Sequence, residues 1–175
     1  MLRGAFSVLM TTGLILGSVV AVGAVVGLTL PESHQAARSA RFNAPPSKVF
    51  EVITDVKSYP QWRSDVQSVD VLTGSSDDLR FTEHSHERPE PITYRVKEQK
   101  SPTLFKVRVH DESLGFGATW TYMLQPFEGG TSLTITEDGE IPNPLFRVVA
   151  RVLFKPTDAM DRYLHDLATA KGLDR

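Results

Sequence analysis

The stretch that most limits the fold runs from Val66 to Glu137, where apolar residues recur at every second position. Ile92–Thr93–Tyr94–Arg95–Val96–Lys97 and Phe105–Lys106–Val107–Arg108–Val109–His110 alternate cleanly. Val66 to Leu72, Leu79 to Glu83, Ala118 to Leu124 and Thr131 to Glu137 obey the same rule. A period of two belongs to a strand with one face buried. The breaks are Gly74–Ser75–Ser76–Asp77–Asp78, a loop with Pro89 and Pro91, Ser101–Pro102, Asp111 to Gly117, and Glu128–Gly129–Gly130. Connections this short suit hairpins, so the strands form an antiparallel meander. One face carries Phe81, Tyr94, Val96, Phe105, Val107, Trp120, Tyr122, Leu133 and Ile135; the other carries Thr93, Arg95, Lys97, Lys106, Arg108, Thr134 and Thr136. A sheet of this kind needs a cover on its apolar side.

The available cover is Asn143 to Lys171. Leu145, Val149, Val152, Leu153, Met160, Tyr163, Leu164 and Leu167 recur at helical spacing, and Arg147, Arg151, Lys155, Asp158, Arg162 and Asp166 form a charged line expected to be solvated. Asn143 suits the N-cap, Pro144 the first turn and Gly172 the end. Pro156 removes a backbone donor and disfavours helical angles at Lys155. The segment is therefore one kinked helix or two pieces meeting at Pro156–Thr157.

Ahead of the meander, Arg38 to Asn43 reads as a first strand. Ala44–Pro45–Pro46–Ser47 ends it and opens a helix with Val49, Phe50, Ile53 and Val56 on its apolar stripe. Ser58 is a candidate cap for one further turn through Pro60, with Trp62 aimed inward.

Ala5 to Leu30 contains no charged residue. As a helix it would span roughly 39 Å, against a hydrocarbon core of about 30 Å. We read residues 1–30 as a transmembrane anchor. The alternative is a cleaved signal sequence ending near Val22–Gly23–Ala24, but the apolar run continues past that site. Arg3 on one side and Arg38 and Arg41 on the other orient the span weakly; the reading leans toward a single-pass membrane protein with its domain outside the cytoplasm. Gly13, Gly17, Ala24 and Gly27 lie near one face and leave open a homodimer through the span. Residues 31–36 read as a linker, and the folded domain as 37–175.

The net charge of −2 leaves no footprint for nucleic acid, and the absence of cysteine excludes disulfides, a thiol nucleophile and thiolate metal sites. No motif for a cofactor is visible, and none is expected.

In its order of a strand, two short helices, a meander and a long final helix, the chain resembles the START-like helix-grip superfamily, and within it the polyketide cyclase/dehydrase (SRPBCC) group. The residues that carry this are Asn43–Ala44–Pro45–Pro46–Ser47–Lys48–Val49–Phe50, Asp55 through Tyr59–Pro60–Gln61–Trp62, the Trp120 strand before Gly129–Gly130–Thr131, and Asn143–Pro144. The resemblance covers about residues 37–172. It implies an α+β fold, a curved antiparallel sheet around a long C-terminal helix with an apolar tunnel between them, here preceded by one transmembrane helix. It fixes no reaction.

The expected cavity liners are Trp62, Phe81, Tyr94, Phe105, Trp120, Tyr122, Met160 and Leu164, although aromatics on such a face also simply pack. Glu83 and Glu137 share the inward parity; an inward carboxylate would have a raised pKa and serve as acid or base. Tyr94 and Tyr122 are candidate donors to a ligand carbonyl. His84 and His86 lack a third placed ligand, His110 ends a strand, His165 is expected in solvent and His34 in the linker, so no metal is expected. The favoured function is a membrane-anchored binding or carrier module for a lipid, quinone or polyketide-like molecule. The alternatives are a cyclase/dehydrase-type enzyme and an interaction protein with a filled cavity.

Overall fold

The computed structural model describes residue 18 and residues 21–73, 79–110, 115–153, 155, 157–170 and 173. The expected turn at 74–78, most of the loop from Asp111, Pro156, Gly172, and Gly13 and Gly17 lie outside the described residues. The chain forms two units: His34–Glu140 together with the C-terminal segment from Thr157, and Ile141–Lys155 together with the N-terminal segment that ends at Ser33.

In the first unit the alternating segments become strands, as their period requires. Strand β1 is Ser33–Phe42, and after it come β2 (Val66–Thr73), β3 (Arg80–Ser85), β4 (Ile92–Lys100), β5 (Leu104–Val109), β6 (Gly117–Phe127) and β7 (Gly130–Glu140). They make one sheet in the order β1-β7-β6-β5-β4-β3-β2, with each described pairing antiparallel. Register shifts between Val66 and Ser68, Val71 and Thr73, and Val96 and Glu98 add the local bends that curve a sheet. Strand β1 begins inside the segment expected to be linker, so His34 belongs to the sheet; Gln35 Nε2 reaches Asp138 Oδ1 across the β1–β7 pair at 2.7 Å. The linker reading failed because a polar edge strand has no apolar alternation to reveal it.

Helix α2 (Pro46–Thr54) starts after Pro45, whose extended backbone and lack of an N–H suit the position, and it buries Val49, Phe50 and Ile53. A 3₁₀ turn (Val56–Ser58) leads to α3 (Tyr59–Trp62). Ser58 does not cap α3; its hydroxyl donates back to the Asp55 carbonyl at 2.8 Å. Helix α5 (Asp158–Thr169) lays Met160, Tyr163, Leu164 and Leu167 into the same core as Phe81, Val96, Phe105, Tyr122, Leu133 and Ile135. The inward face read from the alternation is therefore the observed one.

The Gly129–Gly130–Thr131 turn shows why those three residues stand together. Gly129 has φ of +98°, the left-handed region that glycine tolerates. A β-carbon on Gly130 would sit 1.9 Å from the Phe42 carbonyl oxygen, so only glycine allows that approach. Thr131, fully buried, donates its hydroxyl to the Ala44 carbonyl at 2.7 Å. The end of β1 and the start of α2 are thus tied to the start of β7.

Of the two forms expected for the C-terminal segment, the structure takes the second. Asn143 to Lys171 is two helices, α4 (Pro144–Leu153) and α5, and the core residues come from α5. Asn143 caps α4 as expected, its Oδ1 accepting from Leu145 N at 2.9 Å and Phe146 N at 3.1 Å. Within the second unit lies the helical segment 21–29, here α1. A β-carbon on Gly27 would sit 1.9 Å from the Pro144 carbonyl oxygen, so this position of the expected dimer face is taken by an internal contact. Arg147 leaves the solvated line: it is 9% exposed and donates to the carbonyls of Gly27, Leu30, Ile141 and Pro142 and to Glu32. It satisfies carbonyls that the last turn of a helix leaves open. Among the described residues no helix is long and apolar enough to cross a membrane.

Thr131→Val keeps the shape and removes the donor to Ala44. It should cost about 1–3 kcal/mol, the usual penalty for stranding a buried carbonyl, read by urea denaturation.

Candidate functional site

Arg63 is the first residue after α3. Its backbone N–H closes the helix on the Tyr59 carbonyl at 2.8 Å, which turns the side chain back into the core. There Arg63 Nη1 donates to Glu83 Oε1 at 2.8 Å, while Nη2 and Nε grip Asp65 at 2.8 and 3.2 Å. The guanidinium stands over the rings of Tyr59 and Tyr163, 5.0 and 5.3 Å from their centroids, a cation–π arrangement strengthened by desolvation. Asp166 on α5 fixes the segment from the other side, its Oδ2 accepting from both the N–H and the hydroxyl of Ser64 at 2.7 Å. Asp166 was expected on the solvated line; helical spacing assigns a face, but it cannot see a partner from another element.

The rings around this centre pack together, Trp62 edge to face with Tyr59 and Tyr163, and Tyr163 tilted at 46° to Tyr122. Tyr59 meets Trp62 at 5.5 Å, Trp62 meets Tyr163 at 5.2 Å, and Tyr163 meets Tyr122 at 5.3 Å. Phe105 lies beside Tyr122, and Phe81 stacks with Tyr94. All eight expected liners fall in this one cluster: Phe81, Phe105, Tyr122, Met160 and Leu164 buried, Trp62, Tyr94 and Trp120 partly so. Two polar atoms inside it have no hydrogen-bond partner, Trp62 Nε1 and the Tyr163 hydroxyl. The Tyr59 hydroxyl donates to the Ile53 carbonyl at 2.7 Å and stands near that of Tyr163.

Electrostatics here are set by burial. Desolvation raises the Glu83 pKa, and Arg63 only partly offsets it. For Asp65, less buried, the Arg63 charge and hydrogen bonds outweigh desolvation and the pKa falls. Burial disfavours the charge on Arg63, but Glu83 and Asp65 overcome it and the guanidinium stays charged. Desolvation lifts the phenols of Tyr59, Tyr94, Tyr122 and Tyr163 far above their ordinary value, so they remain neutral donors. Glu83 acts on Tyr59, Tyr94 and Tyr122, so one candidate acid–base carboxyl and both candidate tyrosine donors share this centre. Glu137 is paired elsewhere, 3.6 Å from His34; burial raises its pKa, with His34 opposing.

A groove of about 440 Å³ lies at the β3–β4 end, lined by Gln67, His84, Ser85, His86, Glu87, Arg88, Pro89 and Pro91. It contains none of the eight expected liners. The His86 N–H donates to the Asp65 carbonyl at 3.1 Å, which sets this loop beside the Arg63 centre. His84 bonds Asp70 at 2.9 Å, and His110 and His165 are exposed. Among the described residues no group of three or more His, Asp or Glu is placed to hold a metal.

Sequence reading missed Arg63, Tyr59 and Tyr163 as parts of one centre. The available signal was Glu83, an inward carboxylate on an apolar strand face, which demands a cation from somewhere. Arg63 directly after the inward Trp62 was the nearest candidate.

A curved seven-stranded antiparallel sheet closed over a C-terminal helix, with an aromatic interior and a buried ion pair, defines an α+β helix-grip protein. Residues 33–171 match the family described as polyketide cyclase / dehydrase and lipid transport, and the chain belongs to it. No curated protein matches in sequence. Among solved structures it is similar to the Zhui aromatase/cyclase from a Streptomyces species, at 14% identity and TM-score 0.62, covering 78% of this chain and 92% of that one. It is also similar to norcoclaurine synthase from Thalictrum flavum, at 11% identity and TM-score 0.66, covering 83% and 89%. At such identities the likeness is one of fold.

The ion pair can be tested in two ways. Arg63→Met leaves two acids without their cation and should cost about 3–5 kcal/mol, read by denaturant unfolding. The folded chain holds the Glu83 proton more tightly than the unfolded chain. The stabilisation from Glu83 is therefore full below the ordinary glutamate value and lost as pH rises through the raised one. Asp65 runs the other way, losing its contribution as pH falls through its lowered value. Glu83→Gln should flatten the decline in stability that sets in above the ordinary glutamate value and converge with the parent at the acid end.

Proposed function

We propose that this protein binds a bulky hydrophobic small molecule bearing a carbonyl or similar oxygen acceptor, of the lipid, quinone or polyketide-like class. The observation that carries the reading is the pair of buried, unpartnered donors, Trp62 Nε1 and the Tyr163 hydroxyl, within the aromatic cluster around Arg63. An indole N–H only donates, and a phenol held neutral donates readily, so the missing partner is an acceptor. The surrounding rings supply apolar area and orient a flat ligand. The uncharged run Ala5–Leu30 supports a membrane-held location, where such ligands dissolve.

Glu83 favours a second reading, cyclase/dehydrase-type catalysis. A carboxyl with a raised pKa keeps its proton to higher pH and is a candidate general acid, and Arg63 beside it would stabilise an enolate as charge develops. In a carrier the same residues only position the guest.

Native mass spectrometry of the full chain released from lipid nanodiscs, with organic extraction of any bound mass, tests the proposal. A discrete extractable guest is expected, and Trp62→Phe and Tyr163→Phe should each weaken its retention about fivefold. A clean apo mass after incubation with membrane lipid extract would sink the binding reading and favour an interaction protein with a filled core. If Glu83→Gln keeps the guest but abolishes its conversion, the protein is an enzyme.

A further inference from the structure

Helix α4 carries an apolar line that the described residues leave exposed. Leu145, Val149 and Val152 stand at i, i+4 and i+7, on one face, and are 39%, 45% and 77% exposed. On the other flank Arg151 is exposed, Lys155 lies just past the helix end, and Pro144–Leu153 contains no acid. An exposed apolar stripe beside cations, with no acidic residue, is the pattern of a helix that lies in a membrane surface.

The element to which α4 is fastened names the occupant. Arg147 ties it to the last turn of α1 through the Gly27 and Leu30 carbonyls at 3.1 and 3.0 Å, and Pro144 sits directly on Gly27. One turn earlier Leu145 Cδ2 lies 3.4 Å from where a β-carbon of Gly23 would be, so the apolar surface of α4 adjoins that of α1. Helix α1 belongs to the uncharged run Ala5–Leu30, and its exposed Val22, Val25 and Val26 stand at i, i+3 and i+4, on one face, with Leu28 beside them. An uncharged helix whose open face is apolar suits contact with lipid.

We propose that α4 is an in-plane membrane helix, with Leu145, Val149 and Val152 seated about 5–10 Å into the headgroup–acyl boundary of an anionic phospholipid leaflet. Arg151 and Lys155 reach back to the phosphates, as long cationic side chains do at such boundaries. Arg147, spent on α1, sets the height of α4 against the end of the span. The proposal rests on the anchor reading of residues 1–30.

The chain has no cysteine, so single labels are clean. Full-length Leu145→Cys, Val149→Cys, Val152→Cys and Arg151→Cys would carry a polarity-sensitive fluorophore. Each is reconstituted into phosphatidylcholine–phosphatidylglycerol vesicles, with and without lipid bearing a nitroxide high on its acyl chain, and floated on a density gradient. The expected result is flotation with severalfold stronger quenching at positions 145, 149 and 152 than at 151. Flotation with equal, weak quenching and water-like emission would overturn the α4 proposal while leaving the anchor intact. Flotation with apolar emission but no quenching would also overturn it, and would assign the stripe to a second copy or another protein. Protein that stays at the bottom of the gradient would overturn the anchor, and the proposal with it.

Discussion

The structure depends on a single exchange: the apolar face of the sheet is removed from water, and α5 with α2 provides the cover. Phe81, Phe105, Leu133, Ile135, Met160 and Leu167 are all at or near zero exposure because they meet across that interface. Ala44, Thr131 and Phe42 close its far edge through the β1–β7 corner. Burial of this kind yields about 1.5–3 kcal/mol for each large side chain.

Into this apolar interior the fold inserts an ion pair, which is costly unless its hydrogen bonds are complete. Arg63 meets the condition with three bonds to two acids and two ring faces, and Asp166 holds the neighbouring backbone. Glu83 meets it less fully, since desolvation still lifts its pKa. The polar centre is therefore fixed in its position while burial still works against the charge on Glu83. Unsatisfied donors on Trp62 and Tyr163 at the same place are a further local cost that packing alone does not repay.

Much of this was legible from periodicity, because alternation assigns each strand residue to a face whatever its partners. Phe81, Tyr94, Trp120 and Tyr122 were placed inward that way, and Glu83 with them. Asn143 and Gly129–Gly130 were legible because caps and turns are local chemistry. Arg63, Arg147 and Asp166 were not: each is a charged residue buried by partners distant in sequence, and no local pattern reports those. The polar strand start at Ser33 escaped for a related reason, since it is defined by its pairing with β7 rather than by its own residues.

The β1–β7 pairing also orders events during synthesis. Gln35 finds Asp138 across 103 positions of sequence, so the first strand made is among the last to be paired. At a ribosomal rate of about 5–20 residues per second, β1 waits roughly 5–20 s with its edge open. Such non-local closure is the slow part of folding. A polar first strand such as Ser33–His34–Gln35–Ala36–Ala37–Arg38–Ser39 is suited to that wait, because it offers little apolar surface for a wrong partner to seize.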